Sequence, residues 1–467
     1  MFVPPQRTAS ACGPAFGAAT FLHYYRAVSE ITRTDVLIAG SGPGGAAVAR
    51  ELARAGRSVL LLERGRDWRP NPLYGTYAGA LLYADRRALL FTREGLNIIR
   101  PLMLGGATSM FAGCSSPPAA WWREEYGIEL DAHAAAFADE LEIRPLPPEL
   151  RGEASTRVAA AAGELGMEWV PQDKFLRPTG SFDCGAHCML GCRCGAKWNA
   201  AELVDQARAA GAQVWTGARV QQVLAAGDVA SGVTVRRGGR TLTIEAGTIV
   251  LAAGGLGTPE ILRASGVPEA GQGLAMDTTV MVYGHAPGRP GMGGDPPMTW
   301  SCPDDELGVM YSTLIDPWLM YPIITALKGP AYPLTWRRWG STYGVMIKLT
   351  DEISGGTDAR GRISKGLTAR DRDRLARAEQ VAGDILRRAG CSPGSIFTTP
   401  LRGTHPSATV RIGELIDTDL RTRWRNVYVC DASVFPRALG RPTVLTILAL
   451  ARRLARTVAT PAAATSA

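Results

Sequence analysis

No stretch of this 467-residue chain offers the roughly 18 uncharged apolar residues that a membrane-spanning helix needs. Residues 308–331 come nearest, but Asp316, Pro317 and Pro322 interrupt them, which excludes a continuous span. That segment reads first as a buried wall of a substrate domain, and second as an apolar substrate mouth resting on a membrane. The N-terminus shows no basic region followed by an apolar core and cleavage site, so a cytoplasmic address is expected. The net charge of +8 comes from scattered arginines with no dense run and no nucleic-acid motif, so no nucleic-acid partner is expected. Such an excess suits an anionic membrane surface or an acidic partner as well as an ordinary solvated face. No internal repeat is present, which excludes a solenoid. Histidines number only five, and the nine cysteines show no two-plus-two knuckle spacing.

What is present is a glycine-punctuated turn between a buried strand and a helix. Residues Thr34 to Ala39 form an apolar run that enters Gly40-Ser-Gly42-Pro-Gly44-Gly45 and then an alanine-rich helical stretch. Gly40 permits the tight bend, Gly42 lets the backbone approach a pyrophosphate, and Gly45 lets helix and strand pack closely. The helix start supplies N–H donors and the positive end of its dipole. Glu63, ending the next apolar run, is placed to accept from ribose hydroxyls and to repel a 2′-phosphate. A dinucleotide carrying an unphosphorylated adenosine ribose is the expected ligand.

Further along, the spacing predicts helices over 132–142, 156–166 and 199–210, then strands at 213–216 and 218–224 and a hairpin around Arg236 to Arg240. A buried strand at 248–253 leads into a helix from Thr258, and the chain ends in a helix rich in Ala, Leu and Arg. The fold class is α/β: a Rossmann-like, doubly wound nucleotide-binding domain with an interleaved α+β substrate domain. The expected boundaries are 34–131, 185–275 and 401–458 for the first domain and 132–184 and 276–400 for the second. Residues 1–33 form an extension with a short amphipathic helix around Phe21 to Val28, and 459–467 a flexible tail.

The ordered motifs resemble the glucose-methanol-choline (GMC) flavin oxidoreductases, in the branch that looks like long-chain alcohol and sterol oxidases. The segments that carry the resemblance are the 40–45 turn with Glu63, Gly105-Gly106-Ala-Thr108, Cys188 to Lys197, Val250 to Gly254, His405 to Gly413 and Asp431 to Pro436. It covers most of the chain outside 276–345. The resemblance implies that the dinucleotide is FAD, cradled by Gly40, Gly42, Pro43, Gly45, Glu63 and Arg64. It places Gly105, Gly106 and Thr108 along the pyrophosphate and isoalloxazine and Val220 at the adenine. Ala253, Gly254, Asp431 and Ala432 complete the cofactor set, and His405 faces flavin N5 across the substrate.

Two positions depart from the family pattern. The second histidine or asparagine near the C-terminus is replaced by Pro442, which has no side-chain donor or acceptor, so Arg441 or Thr443 would have to stand in. The customary asparagine of the second glycine turn is Phe111. Phe111, Arg441 and Thr443 are therefore candidate substrate contacts. The acid/base role falls to His405, since imidazole titrates near working pH; His23, His133, His187 and His285 lack a comparable context and read as structural.

Three functions fit this set. The first is oxidation of a CH–OH group of a large apolar molecule, a sterol, fatty or polyprenyl alcohol; the second is reduction, desaturation or isomerisation of a C=C bond in an isoprenoid or pigment. The third is a non-catalytic flavoprotein or electron-transfer subunit. The aromatic and thioether side chains of residues 300–339 suit an apolar ligand or a plain core. Cys184, Cys188, Cys192 and Cys194, with His187 among them, read as buried thiols, a disulfide or a metal loop, with no metal expected. Electron acceptor and oligomeric state have no signature in the chain.

Overall fold

The computed structural model of the protein describes residues 33–180, 182–326 and 329–459. Residues 1–32 of the expected N-terminal extension, with Cys12 and His23, and residues 460–467 of the C-terminal tail lie outside them, while Arg33 already belongs to the first strand.

The first strand, β1 (Arg33–Ala39), runs straight into helix α1 (Pro43–Arg54), as the glycine turn requires. Val36, Leu37 and Ile38 are fully buried, each contributing about 1.5–3 kcal/mol relative to an exposed side chain. β2 (Val59–Glu63) and β3 (Gln213–Thr216) extend the sheet on one side, each parallel to its neighbour, with helix α2 (Ala201–Ala209) leading into β3. On the other side lies a meander of β4 (Ala218–Ala226), β5 (Val229–Arg237) and β6 (Arg240–Leu251). The first half of β6 pairs antiparallel with β5, and its second half runs parallel to β1. The hairpin and the buried strand read separately from sequence are thus joined by one 12-residue strand. Helix α3 (Gly254–Ala264) follows it and packs on β4.

A second, antiparallel sheet is centred on β7 (Thr279–His285), β8 (Trp300–Asp304), β9 (Val309–Thr313) and β10 (Thr342–Leu349), in the order β7-β10-β9-β8. Sequence reading predicted no strands here, because β7, β9 and β10 are buried on both faces and show no alternation. Val280, Val282, Val345 and Ile347 meet helix α4 (Ala369–Arg388) behind the sheet, while Thr279, Met281, Met346 and Lys348 face a cleft. A reciprocal capping box between Thr368 and Asp371 starts α4, a device that contributes about 1 kcal/mol. The short strands Leu90–Phe91, Asn97–Ile98 and Arg402–Gly403 also pair into this sheet. They come from stretches expected in the nucleotide-binding half, so the two halves exchange chain where they meet. β11 (Val427–Val429) then returns to the first sheet beside β6, and helix α5 (Val444–Ala459) packs on α1.

Residues 308–331 divide between these settings. Val309 to Thr313 form a fully buried strand, while Trp318, Leu319 and Ile323 are exposed. Among the described residues no helix is long and apolar enough to cross a membrane.

Candidate active site

The carboxyl ends of β1, β2, β6 and β11 converge, and the chain beyond each of them lines one cavity of about 720 Å³ that continues to the cleft face of the second sheet. At its nucleotide end the glycine turn is packed to its limit. Gly40 has φ +109°, and a Cβ there would meet the Ala252 carbonyl oxygen at 2.2 Å. A Cβ on Gly45 would lie 2.0 Å from Gly40 O, so this glycine tightens the turn itself, while a Cβ on Gly44 would lie 1.9 Å from Cys430 O. Gly44 is therefore the residue that admits the β11 connection, a role sequence reading missed. A Cβ on Gly42 would meet no protein atom within 4 Å, since it would point into the cavity.

Gly42 caps α1 without a side-chain hydrogen bond and Pro43 occupies the first turn, leaving the helix start open towards the cavity. The buried Glu63 carboxylate accepts from Ser41 N at 3.0 Å and Ser41 Oγ at 2.6 Å through Oε2, and from Gly65 N at 2.7 Å through Oε1. Oε1 retains a lone pair for another donor. Arg64 lines the same end and lies 3.6 Å from Asp85. Val220 sits beside a bulge in the β4–β5 pairing and also lines the cavity.

Gly105, with φ +90°, and Gly106 bring a second turn against the first; a Cβ on Gly106 would lie 3.0 Å from Gly42 Cα. Thr108 lines the cavity, though its hydroxyl is spent on the fold, donating to Gly105 O at 2.6 Å and accepting from Ala200 N at 3.0 Å. Ala253, Gly254 and Ala432 line the cavity, and Asp431 gathers their segments. Its carboxylate accepts from Gly254 N at 2.8 Å, Thr258 Oγ1 at 2.5 Å and Ser433 N at 2.8 Å. Burial raises the Asp431 carboxyl above its usual range against the pull of these donors.

At the other end of the cavity stands His405. Its Nδ1 lies 2.8 Å from Asp277 Oδ2, and Asp277 Oδ1 accepts from Gly440 N at 2.9 Å. Nε2 has no hydrogen-bond partner among the described residues. Burial first, then the charge of Lys348, hold the His405 imidazole below its ordinary pKa, against the pull of Asp277. Lys348 Nζ is 3.5 Å from His405 Nδ1, and burial lowers its pKa in turn. No local motif marked Asp277 or Lys348 in the sequence: Asp277 meets His405 through the pairing of β7 with the Arg402–Gly403 strand, and Lys348 joins them through the pairing of β7 with β10.

Pro442, Thr443 and Phe111 line the cavity. Arg441 is not brought there: its guanidinium is ion-paired with Asp305, 2.5 Å away, so it does not stand in for the group that Pro442 lacks. Much of the remaining lining is apolar, including Met281, Met298, Leu314, Met320 and Met346, with Asn97, Thr404 and the Asp316–Arg402 ion pair among its polar members. Of the aromatic residues expected to shape a ligand pocket, Tyr311 and Tyr321 are core, Trp318 packs against Trp336 with tilted rings and centroids 4.9 Å apart, and Trp339 donates to Asp316 O at 2.8 Å.

The four clustered cysteines lie away from the cavity lining. Cys184 and Cys188 are buried together, and a hydrogen bond from Cys184, helped by His187, holds the Cys188 thiol well below its ordinary range. Cys192 Sγ and Cys194 Sγ are 3.8 Å apart, and all four are free thiols here. Among the described residues no group of three or more His, Cys, Asp or Glu is arranged to hold a metal ion.

An open helix start, a buried ribose-ready carboxylate and a turn whose one free Cβ direction points into the cavity fit a dinucleotide cofactor. They define the class as a dinucleotide-binding protein of the Rossmann type. The chain belongs to the GMC oxidoreductase family: profiles described as GMC oxidoreductase match residues 82–279 and 360–451, and one described as FAD binding domain matches 33–77. An uncharacterised GMC-type oxidoreductase of Mycobacterium tuberculosis is 30% identical, with 91% of this chain and 76% of the relative aligned. The long-chain-alcohol oxidase FAO4B of Arabidopsis thaliana is 24% identical over 89% of this chain and 66% of its own length. The crystal structure of pyridoxine 4-oxidase from Mesorbium loti shares the fold, with a TM-score of 0.67 at 18% identity over 91% of this chain and 99% of that one. The cofactor is FAD and the protein is an FAD-dependent oxidoreductase.

Proposed function

We propose that the protein oxidises the CH–OH group of a large apolar alcohol, with His405 as the base. The observation that carries this reading is the Asp277–His405 pair at one end of the cavity whose other end is the dinucleotide cradle. When bound, FAD supplies the acceptor for the two electrons and the hydrogen leaving the substrate carbon. Asp277 accepts from Nδ1–H, which fixes the tautomer and leaves the Nε2 lone pair for the substrate hydroxyl proton. The lowered pKa keeps this imidazole neutral at working pH, as a base must be. Asp277 stabilises the imidazolium that forms once the proton has moved.

The substrate class follows from the walls. Leu81, Leu89, Phe91, Ile99, Leu319 and Ile323 line the cavity and are also among the exposed large hydrophobic residues, so the mouth itself is apolar. A fatty, polyprenyl or sterol alcohol suits this lining, and the mouth suits contact with a membrane surface that dissolves such molecules. The relatives include a long-chain-alcohol oxidase and a 2-methyl-1,2-propanediol dehydrogenase, both named for alcohols. Steady-state turnover of 1-dodecanol and of a sterol with an artificial electron acceptor tests the reading; aldehyde or ketone formation supports it.

One observation favours a second reading. Pro442 lines the cavity without a side-chain donor, which suits C=C chemistry on an isoprenoid better than an alkoxide held by two groups. No turnover of any alcohol, combined with reoxidation of chemically reduced enzyme by polyenes, would favour it.

A further inference from the structure

Lys348 lies on β10 with its side chain turned to the cleft, and the residue is only 4% exposed. It is directly opposite Thr279 in the sheet and one strand away from the Asp277–His405 pair. Buried ammonium groups are ordinarily paired. The three other buried lysines follow that rule: Lys174, Lys197 and Lys365 each donate to two or more backbone carbonyls. Among the described residues Lys348 has one neighbour within hydrogen-bonding range, His405 Nδ1 at 3.5 Å.

That neighbour cannot accept. Nδ1 already lies 2.8 Å from a carboxylate oxygen, and only as N–H does it form a bond there. A nitrogen that donates to Asp277 has no lone pair for Lys348, and 3.5 Å is beyond a good N–H···N contact. The ammonium protons are therefore unspent beside the His405 imidazole, in a largely apolar cavity. Pro442 lines the same cavity, at the position where the family pattern leads one to look for the second polar group.

We propose that Lys348 is a second catalytic residue, whose ammonium donates a hydrogen bond to the substrate oxygen that gives its proton to His405 Nε2. The proposal rests on the CH–OH reading. The O–H bond breaks with its proton going to Nε2, and the C–O bond becomes C=O as the C–H hydrogen leaves with its two electrons to the acceptor already described. Lys348 keeps its proton throughout; it favours the negative charge that gathers on oxygen between these events. The groups facing it are Asp277, His405 and Cys114.

Binding of dodecanoate, an oxyanion the enzyme cannot oxidise, to the FAD-loaded protein by calorimetry tests this without turnover. The K348M variant, of similar volume, is expected to keep its flavin and bind dodecanoate about 30-fold more weakly, with K348R recovering part of the loss. Should K348M lose its flavin, K348Q carries the same test. Dodecanoate affinity within twofold of the wild type in a flavin-loaded variant overturns the proposal, as does a wild-type protein that binds no dodecanoate. If Lys348 acts only through His405, K348M leaves that affinity unchanged and moves the acid limb of kcat/KM upward, again overturning it. Lysine-dependent dodecanoate binding in a protein that oxidises no alcohol would sustain the Lys348 site while removing the alcohol reading.

Discussion

Asp277 Oδ2 stands 2.8 Å from His405 Nδ1, although the two residues are 128 positions apart in the chain. The contact exists because β7 begins two residues after Asp277 and the Arg402–Gly403 strand pairs at that same end, so two chain segments enter the cleft side by side. Replacing the carboxylate by an amide should leave the flavin in place: Gly440 N keeps the remaining oxygen, an NH2 group faces Nδ1, and the imidazole is held with its proton on Nε2. The Asp277→Asn variant is expected to lose about 100-fold or more in kcat, measured at saturating alcohol, with unchanged flavin absorbance.

The pH dependence follows from the environment of His405. Its pKa is held below the ordinary value of 6.5 by burial and then by Lys348, so the base form persists below pH 6.5. The acid limb of kcat/KM should have its midpoint below 6.5. Stability carries the matching sign: the unfolded imidazole takes up a proton as pH falls through 6.5 while the folded one does not, so folding is weakened from there down to the folded pKa. His405→Gln should reduce that part of the fall in Tm between pH 7 and pH 5, and an unchanged fall would exclude the lowered pKa.

Two neighbouring glycines should separate folding from cofactor binding. Gly44→Ala places a methyl against the Cys430 carbonyl oxygen and should destabilise the protein by about 1–3 kcal/mol or more, seen as a lower Tm even without flavin. Gly42→Ala meets no protein atom within 4 Å and should leave the apoprotein's Tm unchanged while weakening FAD binding. Equal effects of the two on apoprotein stability would contradict the cradle described here.

At the mouth, Leu89 is 67% and Ile323 63% exposed, so charging them should cost little stability. Leu89→Asp with Ile323→Asp is expected to raise KM for long-chain alcohols about tenfold without lowering kcat, and to reduce binding to phosphatidylglycerol vesicles in a sedimentation assay. Unaltered values in both would mean that the exposed rim serves neither entry nor surface contact.

Much of the nucleotide-binding half is legible from residues 34–63 because its signals are local: an apolar run, spaced glycines and an acid at the next strand end. The second sheet is silent by comparison, since Thr342 to Leu349 are buried on both faces and lose the alternation that betrays a strand. The site divides the same way. His405 is visible in a motif, but Asp277 and Lys348 acquire meaning only from strand pairing across more than fifty residues, and nothing local distinguishes Arg441, turned to Asp305, from a cavity residue.

Anaerobic stopped-flow mixing of the FAD-loaded protein with 1-dodecanol, following flavin absorbance, tests the central claim most directly. Oxidation with His405 as base predicts bleaching in a single turnover for the wild type and about 100-fold or more slower bleaching for a flavin-loaded His405→Gln variant. Bleaching at the same rate in both, or none in the wild type with any apolar alcohol, would contradict it.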